Sequence, residues 1–124
     1  MDLAAVDFRG TNLARANLNR TDLSDADLSS ARLVKANLSG SLLYGCNITR
    51  ADLSNRNFSG VDFRKTSLSD VNLSGYDLQK SNFSETNLSR ADLSDYNLVN
   101  ANLSEAKLTC ALLGWANLIE ANFR

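Results

Sequence analysis

From Leu3 to Phe123 an apolar residue stands at every fifth position, and the register never slips. The series fills 25 positions with Leu, Ile or Phe alone and absorbs all five phenylalanines of the 124-residue chain. A continuous helix cannot bury such a stripe. Five steps of about 100° turn each leucine by about 140° from the last, so the apolar residues would wind around the whole cylinder. A straight strand fails too, because an odd period sends successive leucines to opposite faces. The pattern requires a backbone that turns a corner every five residues, so that each leucine points at one axis.

The positions around the leucine, taken as i, are ordered as well. Position i−1 is Asp or Asn at 20 of the 25 sites, the departures being Arg32, Leu42, Ser67, Lys107 and Leu112. These carboxylates and amides are expected to bond local backbone groups at the turns. Position i−2 is usually small, as at Ala16, Ala26, Ala36 and Ala91, and i+1 is most often Ser. Gly10, Gly40, Gly45, Gly60 and Gly75 all fall at i+2. That is the third residue of a turn, where type II geometry needs positive φ. Arg56, Tyr76 and Tyr96 break the small-residue rule at intervals of 20, and the outward apolar Val99 and Ile119 are also 20 apart. Stacked neighbours share environments, so these intervals predict four pentapeptides per coil and about six coils.

The stretches "ADLSD", "ANLSE" and "ANLIE" resemble the A-[DN]-L-x-x signature of the pentapeptide repeat family, and the resemblance covers the whole chain. It implies an all-β fold, a right-handed quadrilateral β-helix or solenoid, with i and i−2 inward. Residues 1–124 are expected to form a single pentapeptide repeat domain with no separate capping helix.

Composition narrows the chemistry. There is no histidine, which removes the commonest general base and metal ligand. Cys46 and Cys110 form no CxxC pair, so neither metal nor cofactor binding has support. Cys46 should point inward and Cys110 outward, about three coils apart. That separation is on the order of 14 Å at strand spacing, too far for a disulfide, and both are expected as free thiols. The aspartates at i−1 exchange freely with asparagine, which argues for a turn role and against catalysis. No run approaches a membrane span. The start, "MDLAAVDFRG", lacks an apolar signal core, and a cytoplasmic protein is expected.

The candidate interaction surface consists of Arg56, Tyr76, Tyr96, Val99, Leu112, Trp115 and Ile119. The first three are large residues in a small-residue column, and the others are apolar outside the core series. The chain is thus expected to be a non-enzymatic scaffold or protein-interaction module, with no nucleic-acid or membrane partner. A homodimer or an end-to-end stack through the C-terminal coil is the expected assembly. The resemblance adds a family background abundant in cyanobacteria, and an alternative: some members mimic duplex DNA, bind DNA gyrase and protect it from inhibitors. Mimicry calls for dense negative charge, one per about 1.7 Å of duplex. The chain carries a net charge of −1, and the face built on Leu3 sets six acidic side chains against three basic ones.

Overall fold

The computed structural model describes residues 1–53, 58, 61–71, 73 and 78–124. One backbone register governs all of them. Parallel bridges join residues 20 apart, from Asp2–Asp22 and Asp22–Leu42 through Leu42–Asp62 and Asp62–Asn82 to Asn102–Asn122. Successive 20-residue segments therefore lie over one another as tiers. Each pentapeptide stands in a column with those 20 residues before and after it.

The pentapeptide 21–25 shows how the backbone is satisfied. The Thr21 N–H donates to the Leu18 carbonyl across a turn at 3.1 Å. Asp22 donates to Met1 one tier back, while Leu23 and Asp25 donate to Leu42 and Tyr44 one tier on. The remaining N–H, that of Ser24, donates to Asp22 Oδ1 at 2.9 Å. All five donors are used, as buried backbone requires. The same side-chain bond recurs at Asn37, Asn47, Asn82, Asn87 and Asn102. This explains why i−1 is Asp or Asn: the slot needs a short side chain with an acceptor oxygen.

Each turn places its third residue at positive φ, for example +57° at Asp25, +58° at Lys35 and +59° at Trp115. Glycine marks this geometry without being required for it, since 18 non-glycine residues at i+2 adopt it among the described residues. Each costs on the order of 1 kcal/mol in the left-handed region. The i+2 N–H to the next tier and the turn bond offset that cost. At Gly45 the reason for glycine is space, because an added Cβ would collide with the Asp25 carboxylate lying over it.

The expected all-β quadrilateral β-helix is corrected by these bridges. Among the described residues there is no helix and no assembled β-sheet or barrel. Each pentapeptide contributes one isolated bridge residue flanked by a two-residue turn. The strand-built solenoid expected from the resemblance is therefore absent among the described residues. The physical reason lies in the period. Two of every five residues are spent on the turn, and the three that remain are too few for an ordinary strand of about five or six.

The leucine series forms the core. From Leu18 to Leu103 its described members are buried, joined by the small i−2 residues Ala26, Ala31, Ala36 and Ala91. Phe63 and Phe83 stack one tier apart with centroids 4.9 Å apart and planes 8° from parallel. Phe58 meets Phe63 edge-on at 5.8 Å. Buried hydroxyls at i−2 find carbonyls: Thr66 Oγ1 donates to Leu43 O and Thr86 Oγ1 to Phe63 O, both at 2.6 Å. Toward both ends the series is only half-buried, as at Leu3, Leu13, Leu108 and Leu118.

Leu68 is fully buried. Leu68→Asp is expected to abolish folding, because it leaves an unpaired carboxylate in mid-core. Ser39→Asp, at the outward i+1 position, should change stability by no more than about 0.5 kcal/mol. Thermal melts followed by circular dichroism test the pair, and equal losses for both would overturn the inward and outward assignment.

Candidate interaction surface

The sequence-derived candidates separate into three groups. Leu112, Trp115 and Ile119 are exposed apolar residues at 58%, 93% and 63%. Their positions follow from the repeat. Leu112 occupies the bridge position opposite Asp92. Trp115 is a turn residue at i+2, with φ of +59° directing its ring outward. Ile119 stands at i+1, its N–H bonded to Asn117 Oδ1, and half-buried Val99 occupies the same position one tier earlier. Tyr96 takes the opposite direction. It is 1% exposed and belongs to the core cluster, with its carbonyl accepting from the Asn117 N–H. Arg56 and Tyr76 lie outside the described residues.

Sequence reasoning passed over Leu42. It is a second exposed leucine at a bridge position, on the column of Asp22 and Asp62. The signal was present, since Leu42 and Leu112 are the two apolar departures from Asp/Asn at i−1.

Four ion pairs form among the described residues. Two are local, between i−1 and i+1: Asp7–Arg9 and Asp62–Arg64, at 2.7 and 2.6 Å. Two join neighbouring tiers at i+2: Asp70–Arg90 at 2.7 Å and Lys65–Glu85 at 3.6 Å. Arg64 and Lys65 also lie over the Tyr44 ring, 5.8 and 5.4 Å from its centroid. These contacts depress carboxyl pKa values. Hydrogen bonding from Arg9 brings Asp7 down to about 2. The Arg64 and Arg90 guanidinium groups hold Asp62 and Asp70 below the usual carboxylate range. Hydrogen bonds from Ser24 and Ser29 do the same for Asp22 and Asp27.

Neither thiol is in a disulfide. Burial, with the nearby Asp27 and Asp25 charges, pushes the Cys46 thiol up to about 12, and its Sγ lies 3.0 Å from the Ala26 carbonyl as donor. Cys110 is exposed. Among the described residues no three His, Cys, Asp or Glu side chains form a group able to hold a metal ion. No helix among them is long and apolar enough to cross a membrane.

Comparison with known proteins places the chain. The family profile described as a pentapeptide repeat region matches residues 46–123, and that for pentapeptide repeats matches residues 2–40 and 21–55. The chain belongs to the pentapeptide repeat family. Its specific biochemical role is not fixed by that membership. No curated protein matches it. Among solved structures, full-length QnrB1, a plasmid-mediated fluoroquinolone resistance protein, is 20% identical. The match covers 99% of this chain and 79% of that one, with a TM-score of 0.51. The pentapeptide repeat protein Rfr23 from the cyanobacterium Cyanothece 51142 is 22% identical over 99% of this chain and 91% of its own, with a TM-score of 0.48. A pentapeptide repeat protein of the Arabidopsis thaliana thylakoid lumen is also 22% identical, over 95% of this chain and 65% of its own, at 0.37.

Two outcomes are expected in solution. A thiol reagent at neutral pH should label Cys110 alone in the folded protein and both cysteines after denaturation. Equal labelling in the folded state would place Cys46 elsewhere. The depressed carboxyls set the acid response. Their folded pKa values lie below the unfolded value of about 3.9, so their stabilisation is complete above that pH and is lost as pH falls through the folded values. The thermal midpoint should therefore be flat above about pH 5 and decline from about pH 4 toward pH 2. Asp62→Asn should shallow the decline, and an unchanged slope would remove Asp62 from the account.

Proposed function

We propose that the chain is a non-enzymatic protein-interaction module of the cytoplasm, and that it engages its partner through Leu112, Trp115 and Ile119, with Val99 beside them. The observation that carries this reading is the exposure of Trp115. A tryptophan almost wholly in water, with exposed Leu112 three residues before it and exposed Ile119 four after, is costly unless something covers it, and exposed apolar patches mark contact sites. Tryptophan is also among the residues that dominate binding energy at interfaces. A second copy of the chain is the simplest partner. It would dock as a two-fold pair or as an end-to-end stack at the C-terminal end.

A second reading is a DNA mimic that binds gyrase. It draws on the likeness to QnrB1, and the solved structures favour it over an unspecified scaffold role. The surface charge weighs the other way. Asp7, Asp62, Asp70 and Glu85 are each neutralised by a neighbouring cation, and the net charge is −1. A duplex of comparable length, about 30 Å, would present roughly 18 charges.

Two assays separate the readings. Capture from the source cells with wild type and with Trp115→Glu/Ile119→Glu should yield a partner that the variant loses; the same proteins on both would overturn the assigned surface. Gyrase supercoiling should be unaffected at micromolar protein, whereas inhibition or protection from a fluoroquinolone would replace the first reading by the second.

A further inference from the structure

Some opposite charges are neighbours on adjacent tiers, as in Asp70–Arg90 and Lys65–Glu85. One column sorts its charges largely by end. It contains residues 11–15, 31–35, 51–53, 91–95 and 111–115, tied by the bridges Asn12–Arg32, Arg32–Asp52 and Asp92–Leu112. Its first two tiers carry Arg15, Arg32 and Lys35 with no acidic residue, its fifth carries Asp92 and Asp95, and its sixth carries Leu112 and Trp115. None of these five charged side chains joins an ion pair among the described residues, and in the third tier Asp52 stands on the bridge position next to Arg32. Arg32 and Asp95 are exposed, Asp92 is half-buried, and Arg15 and Lys35 reach the surface from the outward i+2 turn position. Within the chain, Arg15 lies one tier from Lys35 in the same i+2 row, like charge beside like charge.

We infer that this column is the contact between two copies of the chain, packed side by side and antiparallel about a two-fold axis. The inference rests on Leu112 and Trp115 being a contact surface, and it names the partner and the docking face. A two-fold axis lying in the contact plane, across the tiers, reverses tier order and keeps lateral position. The second tier of one copy then faces the fifth of the other, with i−1 against i−1 and i+2 against i+2. Arg32 comes opposite the partner copy's Asp92, and Lys35 opposite its Asp95. The first tier faces the sixth, so Arg15 comes opposite Trp115, a pairing of guanidinium and indole. Every one of these contacts occurs twice, because a two-fold interface uses the same patch on both copies.

Other occupants fit less well. A parallel two-fold pair keeps tier order and reverses lateral position, which would set Arg32 on the partner copy's Lys35 and Asp92 on its Asp95. A long polyanion lying along the column would gain three cations and then meet Asp52, Asp92 and Asp95. Exposed ion pairs alone are weak; the burial of two Trp115 rings and two Leu112 side chains supplies what they lack.

The test is a charge exchange on turn residues, read by analytical ultracentrifugation of the full chain. Lys35→Asp and Asp95→Lys, each alone, should weaken self-association about tenfold or more, since each sets like charges opposite one another. Mixing the two variants should return affinity to within about threefold of wild type, because the mixed pair restores both contacts. Melts by circular dichroism confirm that each variant is folded, and Arg32→Asp with Asp92→Lys repeats the exchange on the neighbouring row. Association of wild type should also weaken with salt. A dimer indifferent to both exchanges but lost in Trp115→Glu overturns the side-by-side arrangement and leaves an apolar contact standing. A wild type that stays monomeric at about 1 mM, the limit of weak affinity, overturns the second copy as partner; the contact reading itself then stands or falls on whether the captured protein still depends on Trp115. A monomer that binds poly-glutamate or duplex DNA through Arg32 and Lys35 likewise overturns it.

Discussion

The structure depends on one hydrogen bond that the backbone cannot make for itself. In an interior pentapeptide such as 21–25 four N–H groups find carbonyls, one across the turn and three on neighbouring tiers. The fifth, at i+1, faces no carbonyl and, where i−1 is Asp or Asn, is taken by that side-chain oxygen, as in Ser24 to Asp22 and Ser94 to Asp92. Without that acceptor the turn would expose an unsatisfied donor every five residues. With it, the turn closes, the next small residue enters at i−2, and the leucine is returned to the axis. The polar half of the repeat is as structural as the leucine.

This division explains which features the sequence made legible. Side-chain direction was readable because period and burial are coupled: an unbroken apolar series at five-residue spacing has one way to reach a common core. The 20-residue register was also visible, in outliers such as Val99 and Ile119. Strand content was not. Residue pattern reports where side chains point, and it does not report how many consecutive backbone groups bridge. The resemblance supplied a sheet, whereas the described backbone has one bridge per pentapeptide and a turn on either side of it. Positive φ was read from glycine alone. The turn imposes it on arginine, lysine, glutamate and tryptophan alike.

The surface was legible in part, for a related reason. At i+1 and i+2 the side chain lies on a turn and must face out, so Trp115 and Ile119 could be placed from number alone. At i−2 the direction is inward by default, and a large residue there poses a choice that sequence does not resolve. Tyr96 goes inward. Its ring can be accommodated because the flanking core positions Ala91, Ala101 and Ala116 are small. An exception in a small-residue column is therefore a packing event first and a surface feature only if packing fails.

Charge shows the same logic one level higher. Taken along the chain, the acidic and basic residues nearly cancel and look evenly mixed. Folding in tiers of 20 re-sorts them, bringing Arg15 beside Lys35 and placing Asp95 beside Trp115 in one row. Net charge is then a poor guide to electrostatics, because the distance that matters is the tier spacing of about 4.8 Å and not separation in sequence. A pair 20 apart in sequence touches, as Asp70 and Arg90 do at 2.7 Å. Such rows are where one part of this surface differs in charge from another. Exchange of one non-glycine side chain for another at i+2 changes one row of one column and leaves the positive φ of the turn as it was, so partner choice can vary at small cost to the fold.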